Sequence, residues 1–549
     1  MLVPNQSHGI PEETLQVARA AFPKGNALMM LRDEMGPFFE DEGFSELYPA
    51  LGQPAESPGR LALVTILQFM EQLTDREAAD AVRARIDWKY ALGLELRDAG
   101  FHYSVLSEFR QRLVTQEKTQ LLLERILARC LEKGLLKGAG KQRTDSTRVL
   151  AAIRLMNRVE LVGETMRRAL DDIAGIAPAW LLTQMKPEWG ERYSRKMDTH
   201  RIRKSEDKLQ TLALTIGGDG YDLLQAVYDD EAPLAIRSLS SIETLRRMWI
   251  QQYYSVDTAV QWREKGGYGL PPARRMLASP DDLDARLGAK DNSTWTGYKV
   301  HLTETCENDA PRLVTHVETT VATTRDAIVT KKVQNDLIAL DLKPSVHLAD
   351  AGYTDADNLV SSQAIGIDLV GPVRTDSRWQ SKADDGYDVS RFEIDWEKMV
   401  AICPQGQSST YWKRGKSAYG QPNIHFMFKR KICNGCQARS LCTESKKSGR
   451  TLTIYPQEKH EALQAARQRQ STESFKLLYR QRKGVEATMS QSVRGMDVRH
   501  ARYRGLGRTH LQHVATAAAI NLTRIANWLR GERPETSRLS SFAVLALQY

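Results

Sequence analysis

A mixed α/β sheet, preceded by a helical segment and interrupted by insertions, is the fold class that the sequence predicts. Three observations carry it. The first 138 residues show helical periodicity without strand signals, and the segments from residue 291 to 374 alternate strand, strand, helix, strand, helix, strand. A later stretch loses its apolar pattern while gathering four of the six cysteines. At 549 residues and 62.0 kDa, the chain is long enough for several folded units. The predicted division is a helical N-terminal domain over 1–138, a first core strand over 139–154, a helical insertion over 155–290, core over 291–374, a Cys-containing insertion over 375–470, a late helical segment over 471–530 and a tail over 531–549.

Each element follows from local pattern. Arg60 to Gln72 (RLALVTILQFMEQ) reads as a buried helix, and Thr74-Asp75-Arg76-Glu77 as a capping box opening the next. Tyr103 to Val114 places Val105, Leu106, Phe109 and Leu113 on one face and Arg110, Gln111 and Arg112 around the other. Two readings fit, the paired helices of a helix-turn-helix or a bundle with a solvated basic face. Gly140 to Ile153 is a β-type segment carrying Asp145. Residues 155 to about 280 are helical, with polar interruptions at GGDG (217–220) and EKGGYGLPP (264–272). Thr294 to Cys306 and Arg312 to Ala322 are strands, followed by a helix from Arg325 to Leu340. Ser345 to Tyr353 is a third strand carrying Asp350, and Gly366 to Val373 a buried one. Ser474 to Gly495 and His510 to Gly531 return to helix.

Composition excludes several classes. With 41% hydrophobic and 26% charged residues and a mean hydropathy of −0.46, the chain is not disordered as a whole. Its longest nearly apolar run, Leu61 to Met70, is about half the roughly 20 residues of a membrane span. The amino terminus lacks a basic segment followed by an apolar core, so a cytoplasmic location is expected. No P-loop, HExxH or GxSxG is present. The net charge of +9 is unevenly spread. Residues 401–549 hold 26 Lys+Arg against 8 Asp+Glu, leaving residues 1–400 with 51 against 60. One end of the chain is built to meet an anion.

Asp145 and Asp350 sit on strands, where two carboxylates joined by a third can hold paired Mg²⁺ ions for phosphodiester chemistry. The third candidate is Glu486, the one acidic residue between Ser474 and Met496. Tyr479, Arg482 and Glu486 stand at i, i+3 and i+7, which puts all three on one helix face. Read alone, Glu486 also fits a surface counter-charge on a basic helix.

Thr144-Asp145-Ser146-Thr147, His347-Leu-Ala-Asp350-Ala-Gly-Tyr353 and Tyr479-x-x-Arg482-x-x-x-Glu486 together resemble the signature of the DDE transposases of bacterial insertion sequences, in particular the insertion-sequence eleven-eighty-two group. The resemblance runs from about Met30 to Arg530 and includes SPDDLDARLGAK (279–290), TWTGYKVHLTETC (294–306) and CPQG (403–406). It implies a split ribonuclease-H-like core and a metal triad of Asp145, Asp350 and Glu486 binding Mg²⁺ or Mn²⁺. Tyr479 and Arg482 become helpers that orient the glutamate and contact phosphate. The implied reaction is two-metal hydrolysis at the ends of a mobile element, followed by attack of the freed 3′-hydroxyl on target DNA. The implied partners are double-stranded DNA, both terminal inverted repeats and target, and a second copy of the chain. The family's extended signature places a lysine seven residues after the glutamate, where this chain has Val493 with Arg494 beside it.

Cys433-x2-Cys436-x5-Cys442 with Cys403 offers four thiolates to one tetrahedral Zn²⁺, or four reduced cysteines to a small core. Lys429, Arg430, Lys431 and Arg439 surround the cluster. Cys130 and Cys306 are expected in cores. Arg480, Arg482, Lys483, Arg494, Arg499, Arg502, Arg504 and Arg508 form a one-signed run around Glu486, suited to DNA phosphates. Two rivals stay open: a metal-dependent nuclease of the same fold that cuts without joining, and a non-catalytic DNA-binding derivative.

Overall fold

The computed structural model describes all residues except 5–8, 199–205, 258, 265–268, 291, 384, 419, 534–544 and 547–549. It is a mixed α/β protein. In the N-terminal region, α1 (Pro58–Met70) is buried on nearly every side because Leu61, Val64, Ile66, Leu67 and Phe69 go round the helix rather than along a stripe. Each such side chain contributes roughly 1.5–3 kcal/mol by leaving water. The capping box at Thr74 and Glu77 opens α2 (Asp75–Ala84) as its sequence predicts. In α3 (Ser104–Thr115), Leu106, Phe109 and Leu113 face the core. Arg110 departs from its expected place on the solvated face. It is buried, donates to Gln68 (3.0 Å) and Asp75 (2.6 Å), and lies over the Tyr503 ring, so a charge partner on another helix draws it inward.

The central sheet has six strands: β1 (Lys141–Leu150), β2 (Arg286–Lys290), β3 (Ser293–Thr305), β4 (Val314–Val321), β5 (Val346–Leu348) and β6 (Asp368–Val370). β3 is antiparallel to β1 on one side and to β2 and β4 on the other. β1 is parallel to β5, and β5 to β6. Gly297 is required where β1 and β3 meet β2, since at φ +149 a Cβ there would stand 2.2 Å from the Val149 carbonyl oxygen. The third predicted strand is shorter than its apolar pattern suggested: pairing stops at Leu348, and Asp350 to Tyr353 turn away. α4 (Asp326–Ala339) and α5 (Ala356–Ala364) follow β4 and β5.

The late helical segment is not one helix. It divides into α6 (Glu473–Arg480), a 3₁₀ turn over Gln481–Gly484 and α7 (Val485–Met496). After it, α8 (Leu506–Leu529) runs between the sheet and α1, its alanines 515 and 517–519 allowing close approach on both sides. Asn521 on α8 accepts from the Val314 amide (2.7 Å) and donates to the Val314 carbonyl (2.8 Å), satisfying buried backbone where β4 begins. The start of α8 is held by the SPDDLDARLGAK segment. Asp282 accepts from the Gly505 amide and the Tyr298 hydroxyl, Asp284 from the Leu506 amide, and Asp281 pairs with Arg504. One continuous apolar core joins α1, α3, the sheet and α8.

Residues 158–277 enclose a second core of their own. The expected interruption at GGDG is instead the middle of a helix, Glu206–Tyr228. Its glycines are packing devices, because a Cβ on Gly217 would strike Tyr253 and one on Gly220 would strike Trp249. The turn expected at 264–272 falls partly outside the described residues. A third, smaller core gathers Val389, Phe392, Phe426, Phe428, Leu452 and Cys442 around a three-stranded sheet.

His301, His347 and His513 lie wholly inside the sheet and its covering helices, and His510 is half-buried beside them. Burial lowers the imidazoles of His301 and His513 to about 3, and those of His347 and His510 to about 4, from 6.5. All four are neutral in the folded protein, whereas the unfolded chain takes up protons once pH drops below 6.5. Stability is therefore full above about pH 6.5 and is lost progressively as pH falls toward the folded-state values. Denaturant melts between about pH 8 and 4 should show a plateau and then a steep decline. A flat profile across that range would contradict these burials.

Candidate active site

Asp145 and Asp350 meet because their strands are parallel neighbours. The β1–β5 register pairs Lys141 with Val346, Gln142 with His347 and Arg143 with Leu348. Asp145 follows Arg143 by two residues and Asp350 follows Leu348 by two, so both carboxylates stand at the same end of the paired segment, Asp350 in the turn that leaves β5. Asp145 accepts from the Ser146 amide (2.8 Å), and Asp350 from the Gly352 amide (2.7 Å). Burial, with the charges of Asp145 and Asp326 added, holds the Asp350 carboxyl above its ordinary value; the Gly352 amide opposes this by favouring the anion.

Glu486 reaches the same place from α7. Arg482, in the 3₁₀ turn, donates to Asp145 (2.9 Å) and stands 3.8 Å from the Glu486 carboxylate. The Glu486 side chain is 63% exposed, against 18% for Asp145. Tyr479 is half-buried, stacked on Phe475 at 5.6 Å, with the Arg482 guanidinium over its ring. Phe475 docks α6 on Leu348, Val370 and the buried Cys306, which fixes Tyr479 and Arg482 above the ends of β5 and β1. The 3₁₀ turn changes the expected geometry: Tyr479, Arg482 and Glu486 share the site without sharing one helix face.

The turn is anchored from below by residues that the sequence did not single out. Arg143, two positions before Asp145, is buried and pairs with the fully buried Glu304 (2.6 Å) on β3. It also donates to the Gln481 carbonyl in the turn (2.6 Å). The second Glu304 oxygen accepts from Arg524 on α8 (2.7 Å) and from Thr488 on α7. Gly484 lies so close that a Cβ would stand 2.0 Å from the Arg143 guanidinium. A glutamate inside the predicted strand over 294–306 was the available signal, but its partners are 161 and 220 residues away.

The basic run divides by partner. Arg502 donates to the Leu73 carbonyl and Gln72, Arg508 to Gln111, and Arg504 pairs with Asp281, so these three tie the C-terminal segment to earlier elements. Arg499 donates to Thr147 (3.0 Å) beside Asp145. Lys483 and Arg494 are exposed, while Val493 packs on the core, which is why the cation falls one position later than in the family signature.

Cys403, Cys433, Cys436 and Cys442 line one small pocket in the third core. Burial pushes the Cys442 thiol up to about 11, with the other three thiols adding, and Cys433 accepts from the Arg450 amide at 3.4 Å. Among the described residues, three ligand atoms lie within 4.8 Å of one another at His316, Glu318 and Asp336; the three carboxylates and the four thiols are spread more widely. Lys332 already pairs with Glu318 (3.1 Å) and Asp336 (2.6 Å) there. No helix among the described residues is long and apolar enough to cross a membrane.

Two family models match the chain. Residues 402–526 match one described as a transposase DDE domain, and residues 16–112 match one described as a transposase domain of otherwise undefined function. The first span contains the four cysteines, Tyr479, Arg482 and Glu486; Asp145 and Asp350 lie outside both. Both matches support a transposase. No curated protein matches the chain.

Proposed function

We propose that the chain is a DDE transposase of the insertion-sequence eleven-eighty-two type, with Asp145, Asp350 and Glu486 as its catalytic carboxylates on a ribonuclease-H-like sheet. The observation that carries this reading is the convergence on Arg482: one guanidinium serves Asp145 from β1 and Glu486 from α7, while Asp350 lies close enough to feel the charge of Asp145. The strand order, three antiparallel partners followed by two parallel ones, supports the ribonuclease-H-like assignment.

The donor set is all carboxylate oxygen, which suits a hard cation such as Mg²⁺ or Mn²⁺, and a divalent ion would relieve the repulsion between Asp145 and Asp350. When bound, such ions supply charge stabilisation at the phosphorus and a more acidic nucleophilic hydroxyl. The chain's own residues do the positioning. Tyr479 and Arg482 present donors to a phosphate, and the Arg143–Glu304 pair fixes the turn that carries them. The exposed Lys483, Arg494 and Arg499 add a sequence-independent grip on backbone phosphates. Joining two element ends calls for two copies of the chain on DNA. In-cell mobility of a marker flanked by the DNA that borders this reading frame tests the assignment. Wild type moves the marker and Asp350→Asn does not; equal mobility would favour the non-catalytic reading.

Within the insertion, we propose one structural Zn²⁺ on Cys403, Cys433, Cys436 and Cys442, on the strength of their shared pocket and the N–H donated to Cys433. Purified protein should contain about one zinc per chain, and Cys433→Ser with Cys436→Ser should lose it and destabilise the insertion. Zinc-free protein with an unchanged melt would contradict the site.

A further inference from the structure

Beside the carboxylates opens a cleft of about 970 Å³. One wall is core: Ser146 to Arg148 of β1, the tip of the β2–β3 hairpin, the Asp350 loop and the start of α4. The other is made by Gln421 and Tyr455 of the Cys-containing insertion and by the helix Gln457–Gln470. The cleft therefore runs from the carboxylates out between two parts of the chain that are far apart in sequence.

Its charge is one-signed in effect. Arg148, Lys290, Arg325, Arg374, Arg467 and Arg499 line it, and among the described residues none pairs with a carboxylate; their contacts are with Ser293, Thr147 and a main-chain carbonyl. The acidic residues lining it are each engaged elsewhere. Asp326 pairs with Lys299 (2.5 Å), Asp357 with Lys459, and Asp355 caps α5 by accepting from the Asn358 amide. Six cations left unpaired along both walls of a groove form a field that an extended polyanion neutralises better than any compact ligand.

We infer that this cleft is the channel for the DNA backbone beside the scissile phosphate, continuing from Arg499 of the C-terminal basic run, and that the Cys-containing insertion forms its outer wall. The inference rests on the transposase reading for its ligand, while the residues involved lie outside the catalytic set. It gives the insertion a role in DNA engagement that its cysteines alone do not.

Binding to a labelled mixed-sequence duplex of about 30 base pairs, measured across a salt series, tests it, because each phosphate contact adds about 0.9 to the slope of log affinity against log salt. Lys290→Gln with Arg325→Gln removes two cations of the core wall, and Arg374→Gln with Arg467→Gln removes Arg467 of the outer wall and Arg374 at its junction with the core, whose carbonyl accepts from Arg467. Each pair should lower the slope by close to two. Lys24→Gln, Lys208→Gln and Lys398→Gln together, on exposed sites outside the cleft, should leave it unchanged. Among the described residues Lys290 and Arg325 have no side-chain hydrogen-bond partner, so that pair stays informative if the other pair misfolds. Wild-type binding with unchanged slopes in both pairs overturns the channel and spares the transposase reading. A loss confined to the core-wall pair overturns the role of the insertion. Wild-type protein that fails to bind the duplex at low salt overturns the transposase reading itself.

Discussion

Replacing Asp145 by asparagine should lower metal-dependent DNA cleavage by about 10²–10³-fold or more, the scale on which removing one preorganised electrostatic group acts. Asparagine keeps the shape, and its one carbonyl oxygen can still accept from the Ser146 amide; the bond from Arg482 to the second oxygen is lost, which touches the site and leaves the strand pairing of β1 in place. What it removes is the anion that stands at the same end of the paired strands as Asp350 and shares a cation with Glu486. Loss of Mn²⁺ binding alongside loss of cleavage, with an unchanged thermal melt, is the expected pattern. Cleavage within a few-fold of wild type would take Asp145 out of the site.

The second large effect is on stability. Glu304→Gln leaves Arg143 and Arg524 facing a neutral amide in a region where Arg143 and Glu304 are 4% and 0% exposed. Breaking a buried pair by removing one partner costs about 3–5 kcal/mol, because the remaining charge has no compensation. The double variant Arg143→Met with Glu304→Met removes one of the two cations that face Glu304 and should recover part of that stability, Arg524 remaining without its carboxylate. It should not recover cleavage, because the bond from Arg143 to the Gln481 carbonyl is what holds the turn bearing Arg482. Denaturant titration and single-turnover cleavage separate the two. If the double variant regains both, the pair is only packing.

Much of the fold was legible because its signals are local. The capping box at Thr74, the apolar runs of α1, β3 and β4, and the strand position of Asp145 all depend on neighbours within a few residues, whereas the strand expected to carry Asp350 ends at Leu348. Glu486 became legible only through the motif that contains it, since an isolated glutamate on a basic segment reads equally well as a counter-charge. What stayed hidden depends on partners distant in sequence. Arg110 looked solvated until Asp75 and Gln68 met it, and GGDG looked like a break until Tyr253 and Trp249 filled the space its glycines leave. The 3₁₀ turn over Gln481–Gly484 is held by the bond from Arg143 to the Gln481 carbonyl, a contact across more than 300 residues. The summed charge of the C-terminal region pointed to DNA, yet Arg502, Arg504 and Arg508 bind inside the protein, while cations from β1, β2 and the α4 cap line the cleft.

The central claim is that these carboxylates cut DNA and join it. Purified protein incubated with Mg²⁺, labelled fragments carrying the DNA that borders the reading frame, and an unlabelled plasmid tests it most directly. The account predicts cleaved ends and a labelled strand covalently joined to plasmid, both absent in Asp350→Asn. Cleaved ends without any joined product would identify a nuclease of the same fold, and neither product in the wild type would contradict the account.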